Sequence, residues 1–171
     1  MFYYLGHGDI IPKPDVAELR GGRVGFKDNS EEQIDVIIYA TGYFIAFPFL
    51  DKKYLNWQNG GPKLFLNVFH PQYDNLFVAG LIQPDSGQWG LVDYQTQLIA
   101  KFIQAQKNQP DKADVFRKLK SSSMPGLGGG VKYIQSSRHF LEVEHFSYRR
   151  RLKKLIKKFA NSSSHQIWDA D

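Results

Sequence analysis

Ile34-Asp35-Val36-Ile37-Ile38-Tyr39-Ala40-Thr41-Gly42-Tyr43 is the stretch whose reading sets the fold class. It opens with a β-branched run, bounded by polar residues on one side and by a glycine on the other. Continuous apolarity, rather than alternation, is the pattern of a strand buried on both faces, as in a parallel sheet. A second segment of the same kind spans 75–80, Asn-Leu-Phe-Val-Ala-Gly. In an open α/β sheet, ligands sit at the carboxyl ends of the strands, and a glycine there lets backbone approach a bulky ligand closely. Thr41-Gly42 is therefore the first candidate site, although an ordinary turn is the plainer reading of this motif taken alone.

Working outward, the first thirty residues read as extended pieces and turns, with Pro12 and Pro14 disfavouring helix at the residues before them. Gly21-Gly22 and Asp28-Asn29 flank a short strand over 23–27, a hairpin-like pattern. A further strand is expected at 63–69. A polar loop at 83–90 leads into a helix with Leu91, Gln95, Leu98, Ile99, Phe102 and Ile103 on one face. That helix should end near Lys107-Asn108, and Pro110-Asp111 should open another, running to about Ser121. Residues 121–130, Ser-Ser-Ser-Met-Pro-Gly-Leu-Gly-Gly-Gly, read as a loop. A last helix should start near Ser147, with Leu152, Leu155, Ile156 and Phe159 as its apolar stripe. Residues 161–171 read as a flexible tail.

The chain has 171 residues and 15% aromatics, enough for a packed core and too apolar for disorder. It has no cysteine, which removes disulfides, thiolate metal sites and a cysteine nucleophile. No apolar run approaches the roughly 20 residues of a membrane helix, and the start lacks the pattern of a signal peptide. A cytoplasmic location is the expectation. Of the formal charge of +5, seven positive charges lie within 149–158 with no acid among them, so the rest of the chain carries −2. Basic residues are not spread over the chain as a nucleic-acid footprint would require, and no nucleic-acid partner is expected.

The order of motifs carries more than any one of them. Ala40-Thr41-Gly42-Tyr43 is followed by an aromatic loop with Phe47-Pro48-Phe49-Leu50, then by the second apolar segment. That segment leads through Gly80-Leu81-Ile82-Gln83-Pro84 to a helix with Asp93-Tyr94-Gln95. Together with His7-Gly8-Asp9-Ile10 and Ser137-Arg138-His139, the series resembles the C-terminal portion of the flavin-containing monooxygenase family, over the chain to about residue 159. The resemblance implies an α/β fold, a partial FAD-binding domain over 1–160. It is of the Rossmann-like, two-dinucleotide-binding flavoprotein type and carries C-terminal helices. Residues 1–11 would be the exit from an NADPH domain.

The resemblance also implies FAD and NADPH as cofactors, with dioxygen and a small organic molecule as substrates. One oxygen atom would be inserted into that molecule at nitrogen or sulfur, or in the Baeyer–Villiger manner. Thr41 and Gly42 would lie near the FAD, Gly80 and Gln83 near the flavin ring, and Gln95 matches a glutamine of the family. Asp93 stands where the family has glutamate. The helix after Gly90 would point its positive end at the flavin.

The Gly-x-Gly-x-x-Gly turns that hold the two dinucleotides in this family have no counterpart here. Gly126-Leu127-Gly128-Gly129-Gly130-Val131 ends in valine and lacks a preceding strand, so it reads as a loop. The expectation is a C-terminal part of a longer enzyme, inactive alone, whose partners include the N-terminal FAD- and NADPH-binding segments. A sheet without those neighbours should expose apolar edges and be marginal or associate.

Other constellations carry little. His7, His70, His139, His145 and His165 show no metal-ligand spacing. Ser86 lacks the Gly-x-Ser-x-Gly of a hydrolase elbow, and no carboxylate pair stands out. Trp57 and Trp89 read as packing residues. No residue is an evident acid, base or nucleophile. The second reading is a non-catalytic flavoprotein remnant acting through its basic amphipathic helix at 149–158, on an anionic membrane or nucleic acid. A surface helix docked by its apolar stripe, with solvated lysines, is the plainer expectation.

Overall fold

The computed structural model describes residues 2–42, 44–122, 124–134 and 139–160. The chain divides into two compact units, Met1–Tyr43 and Phe44–Asp171. The fold is mixed α/β.

The first unit begins with a short helix, α1 (Phe2–Gly6), where extended backbone was expected. Three antiparallel strands follow, β1 (Val16–Arg20), β2 (Arg23–Phe26) and β3 (Glu31–Gln33), in the order β1-β2-β3. The two turns lie where the glycine and Asp-Asn pairs placed them. Gly21 adopts φ +59° and Asn29 φ +66°, values open to glycine and tolerated by asparagine. Asp28 closes the second turn by accepting from the Ser30 amide at 2.9 Å.

The central expectation fails in this unit. Residues 34–40 form no strand, and Val36, Ile38 and Tyr39 are 72%, 84% and 76% exposed. A strand buried on both faces exists only between neighbours, and β1, β2 and β3 do not extend over this segment. Among the described residues of this unit, Val24 is the buried hydrophobic one. So little burial leaves the sheet dependent on its own hydrogen bonds and surface ion pairs such as Lys27–Asp15 at 2.7 Å. Backbone amides of β1 to β3 are therefore expected to exchange with solvent at least about a hundredfold faster than those of the long helix of the second unit. Hydrogen exchange followed by mass spectrometry checks this, and equal protection in both units would refute it.

The second unit holds the core. A 3-10 turn (Lys52–Leu55) precedes a two-stranded pair, β4 (Trp57–Gln58) and β5 (Gly61–Pro62). Residues 63–69 form a tight turn rather than the expected strand, with Leu66 and Asn67 at φ +57° and +55°. Residues 75–80 are likewise not a strand; Phe77 makes one antiparallel bridge to Phe69. Strand β6 (Gln83–Pro84) pairs in parallel with β7 (Glu142–Val143), the one parallel pair among the described residues. A Rossmann-type parallel sheet is not formed by the described residues.

Three helices complete the unit: α2 (Trp89–Asn108), α3 (Pro110–Ser122) and α4 (His145–Ala160). They fall close to their expected positions. Pro110 forbids helical backbone at Gln109, which sits at φ −145°, and so divides α2 from α3. The last helix begins before Ser147 because Glu144 caps it, accepting from the amides of Phe146 at 3.0 Å and Ser147 at 2.6 Å. α2 packs on both α3 and α4. Its buried face is Leu91, Gln95, Leu98, Phe102 and Ala105, and Ile103, expected on that face, is 51% exposed. Phe69, Phe102, Phe116 and Phe159 meet in an aromatic cluster, with Phe102 and Phe69 4.9 and 5.0 Å from Phe116.

Two lysines of α3 are buried beside this core, Lys112, which donates to the carbonyl of Phe159 at 2.9 Å, and Lys120. Lys120, 1% exposed, donates from Nζ to the carbonyls of His70 and Pro71 at 2.9 Å and of Tyr73 at 3.2 Å. Its three hydrogens thus go to backbone, while Asp74 Oδ1 at 3.1 Å supplies the counter-charge. The buried His70 accepts at Nδ1 from the amides of Gln72 and Tyr73, at 3.1 and 2.9 Å. The turn at 70–74 is therefore built on a neutral histidine and a charged lysine.

Candidate functional site

Gly80 lies at the turn between the core and the segment leading to α2. Its φ of +82° is a conformation that L side chains rarely adopt. Both its backbone polar groups are held by glutamines. Its N–H donates to Gln95 Oε1 at 2.8 Å, and its carbonyl accepts from Gln88 Nε2 at 2.9 Å. Gln88 is also the N-cap of α2; its side chain makes no cap bond, while its carbonyl accepts from the amides of Leu91 at 2.9 Å and Val92 at 3.1 Å.

Gln95 is fully buried, and its amide is spent within the protein. Besides accepting from Gly80, it donates from Nε2 to the Tyr148 hydroxyl at 2.7 Å. Tyr148 in turn donates to the carbonyl of Leu66 at 2.7 Å. Burial pushes the Tyr148 hydroxyl well above its ordinary range, against the opposing hydrogen bond from Gln95. It stays protonated and serves as a link, not as an acid or base. The relay ties the positive-φ turn at Leu66, the Gly80 turn, α2 and α4 together.

The surface beyond Gly80 is open. Gln83 is exposed, with its backbone N–H bonded to the Leu141 carbonyl at 2.9 Å. A Cβ on Gly87 or Gly90 would meet nothing within 4 Å. Trp89, expected to pack, is the first residue of α2 and is 86% exposed. Asp85 accepts from the His145 amide at 3.0 Å, which joins this segment to the start of α4. A glycine turn without side chains, an exposed glutamine, an exposed indole and the positive end of a 20-residue helix can receive a flat, electron-rich ring. These residues fit one wall of a flavin site: the Gly80 turn, Gln83 and the first turn of α2 would hold the ring.

Thr41 and Gly42 belong to the first unit. Both are exposed, and Gly42 has φ +85°. Gly80, Gln83 and Gln95 belong to the second unit, where the geometry brings Gly80 and Gln95 into direct contact. Tyr43, Ser137 and Arg138 lie outside the described residues, as does the tail expected at 161–171. Residues 126–131 form a loop, with Gly129 and Gly130 at φ +56° and +90°. Asp93 is exposed and accepts from Gln97 at 2.8 Å, so it does not point into the core. Among the described residues, no group of three or more His, Asp or Glu is arranged to hold a metal ion.

Two residues of the arrangement escape a sequence reading. Tyr148 sits four residues before Leu152, so the stripe of the last helix extended by one turn would have found it. Gln88 carries no local signal, because its role depends on the bend at Gly80.

With this geometry in view, likeness to known proteins can be set beside it. The profile of the flavin-binding monooxygenase-like family matches residues 5–162. Flavin-containing monooxygenase 1 of Sus scrofa is 40% identical over 80 residues, 45% of this chain and 15% of that protein. Flavin-containing monooxygenase 3 of Oryctolagus cuniculus is 28% identical over 152 residues, 87% of this chain and 28% of that protein. The dimethylaniline monooxygenase [N-oxide-forming] 2 of the same species is 33% identical over 119 residues, 66% of this chain and 22% of that protein. No solved structure matches. The chain spans less than a third of the length of these curated relatives, while the family profile covers nearly all of the chain. The chain belongs to the flavin-binding monooxygenase-like family.

Proposed function

We propose that this chain supplies part of an NADPH- and FAD-dependent monooxygenase that inserts one oxygen atom from dioxygen into a small organic substrate. The observation that carries this reading is the positive-φ Gly80 turn at the open N-terminus of α2, in a chain that belongs to a flavin-binding family. FAD, when bound, supplies the redox chemistry, and the protein positions it and limits water. Gly80 offers close backbone approach, Gln83 an amide at the ring edge, and the α2 N-terminus a field that favours negative charge. Gln95 acts through Gly80 and does not touch the cofactor. The pyrophosphate and NADPH seats belong to segments that the longer relatives have outside the shared stretch.

The test is co-expression of this chain with the remaining segments of a curated relative such as the pig enzyme. Flavin absorbance retained through gel filtration, with NADPH-dependent oxygen uptake, is the expected result. Comparing a tertiary amine, a thioether and a cyclic ketone as substrates assigns the oxygenation type. Gln83→Ala should weaken flavin retention about fivefold, the value of one hydrogen bond, without moving the melting temperature, since the side chain is exposed. Absence of flavin from the reconstituted protein would overturn the reading.

A further inference from the structure

α4 divides into two faces of opposite character. Tyr148, Leu152, Leu155 and Phe159 are buried in the core. On the far side, by the helical repeat, lie Phe146, Arg149, Arg150, Lys153, Lys154 and Lys157, all exposed. We propose that this exposed face of α4 is a docking surface for an anionic lipid bilayer. The proposal stands independently of the monooxygenase reading.

Three features carry it. First, the charge is concentrated and unopposed. α4 contains no acidic residue, and Glu144 just ahead of it is turned to the amides of Phe146 and Ser147. Five cations span residues 149–157, about 12 Å of helix axis at 1.5 Å per residue. Arg149 and Lys153 are steadied over the Tyr94 ring, at 5.8 and 5.7 Å. Second, Phe146 stands on the same face, 65% exposed, at the end where the helix begins. A solvated cationic face has no use for an outward phenyl ring, whereas a ring beside lysines suits the boundary between headgroups and acyl chains. Third, the rest of the chain carries a net charge of −2 once the seven basic residues of 149–158 are set aside. An anionic surface would therefore repel the body and attract this face, which fixes the orientation.

The mode differs from that of an inserting amphipathic helix. The apolar stripe that would enter a membrane is already committed to the core, so contact rests on lysine and arginine headgroup attraction plus one phenyl ring. A single-stranded nucleic acid is the less suited partner, because no aromatic residue is interleaved with the charges to stack on bases.

The experiment is co-sedimentation of the purified chain with phosphatidylcholine vesicles, with and without phosphatidylserine. Phosphatidylserine should raise the bound fraction strongly, and added salt should abolish the gain. Each basic residue near an anionic surface contributes roughly a fivefold factor. Arg150→Glu/Lys154→Glu/Lys157→Glu should therefore lower the affinity by roughly a hundredfold or more. The charge-matched control Lys107→Glu/Lys118→Glu/Lys132→Glu, at exposed positions elsewhere, should bind nearly as the parent does. Phe146→Ser should weaken binding several-fold at unchanged net charge. The corresponding alanine variants at 150, 154 and 157 give the same comparison should the charge reversal unfold the helix. Equal binding to neutral vesicles, equal loss in the control variant, or tighter binding to a single-stranded oligonucleotide than to phosphatidylserine vesicles would each overturn the proposal.

Discussion

Lys120→Met is expected to destabilise the 44–171 unit by about 3–5 kcal/mol, the range for removing one partner from a buried charged cluster. The reason lies in what is left behind rather than in what is removed. Methionine is of similar length and girth to the lysine stem, so little packing is lost. Three carbonyls, those of His70, Pro71 and Tyr73, lose their donor, the first two of them in buried positions. Asp74 keeps Arg117 at 2.5 Å, so its charge stays partly compensated and the lower part of the range is the expected one. Lys120→Arg should not rescue, because a planar guanidinium cannot direct three hydrogens onto carbonyls converging on one point. Denaturant unfolding measures the loss. A change under about 1 kcal/mol would mean that the turn at 70–74 is not held by this lysine.

The same cluster makes stability depend on pH in one direction. Burial, and then the charge of Lys120, hold His70 below its ordinary value of 6.5. The unfolded chain takes up a proton on this ring before the folded one does. Its contribution is thus complete above about pH 6.5 and is lost as the pH falls towards the folded value. Asp74 adds to the trend further down. Burial raises its pKa, but the hydrogen bond from Arg117 and the adjacent charge of Lys120 outweigh burial and leave it below its ordinary value of 3.8. Its contribution is present above that value and is lost as the pH falls through the folded one. His70→Asn keeps an acceptor for the Gln72 and Tyr73 amides but cannot titrate. It should flatten the stability profile just below neutrality, and an unchanged profile would assign the slope to other groups.

The helices and the turns flanking 23–27 were legible and the parallel sheet was not, for a physical reason. The stripe of α2, the Pro110 break and the apolar stripe of α4 are local patterns, and each helix satisfies its own backbone. A strand cannot do that. Residues 34–40 have the composition of a segment buried on both faces, but composition records the surroundings a segment suits. Val36 and Ile38 find no strand on either side among the described residues and remain exposed. Residues 75–80 had another outcome, since Phe77 joins the aromatic cluster without a ladder. At the site, Gly80 was named by resemblance to the family's motif, and the structure gives it φ +82°, where glycine rests easily. The direction in which Gln95 points could not be read, because periodicity places a residue on the buried face without naming its partners. Lys120 was invisible for the same reason: a lysine in a helix signals solvent until the three carbonyls that gather round it are known.

Gln95→Leu is expected to cost about 2–3 kcal/mol, although leucine suits a buried position and keeps the volume. Gln95 has no exposed atom and holds Gly80 N–H on one side and the Tyr148 hydroxyl on the other. Leucine leaves the Gly80 amide without its buried acceptor and removes a donor from Tyr148. Tyr148→Phe should cost about 1–2 kcal/mol, since it strips the donor from the Leu66 carbonyl in a turn that already holds φ +57°. The two substitutions share one hydrogen bond, so the double variant should lose about 1 kcal/mol less than the sum. Gln95→Glu separates the two halves of the link. A carboxylate still accepts from Gly80, but as an acceptor alone it cannot donate to Tyr148, and its charge would be buried unpaired. It should be at least as damaging as leucine at neutral pH and should recover as the pH falls and the carboxyl gains a proton. A milder effect of glutamate than of leucine at neutral pH would mean that Gly80 alone matters. Full additivity of the Gln95 and Tyr148 changes would mean that no relay exists. The expected coupling would make the Gly80 turn, the part of the surface proposed to meet the flavin, an extension of the core: its shape would be held by a tyrosine 68 residues away in sequence.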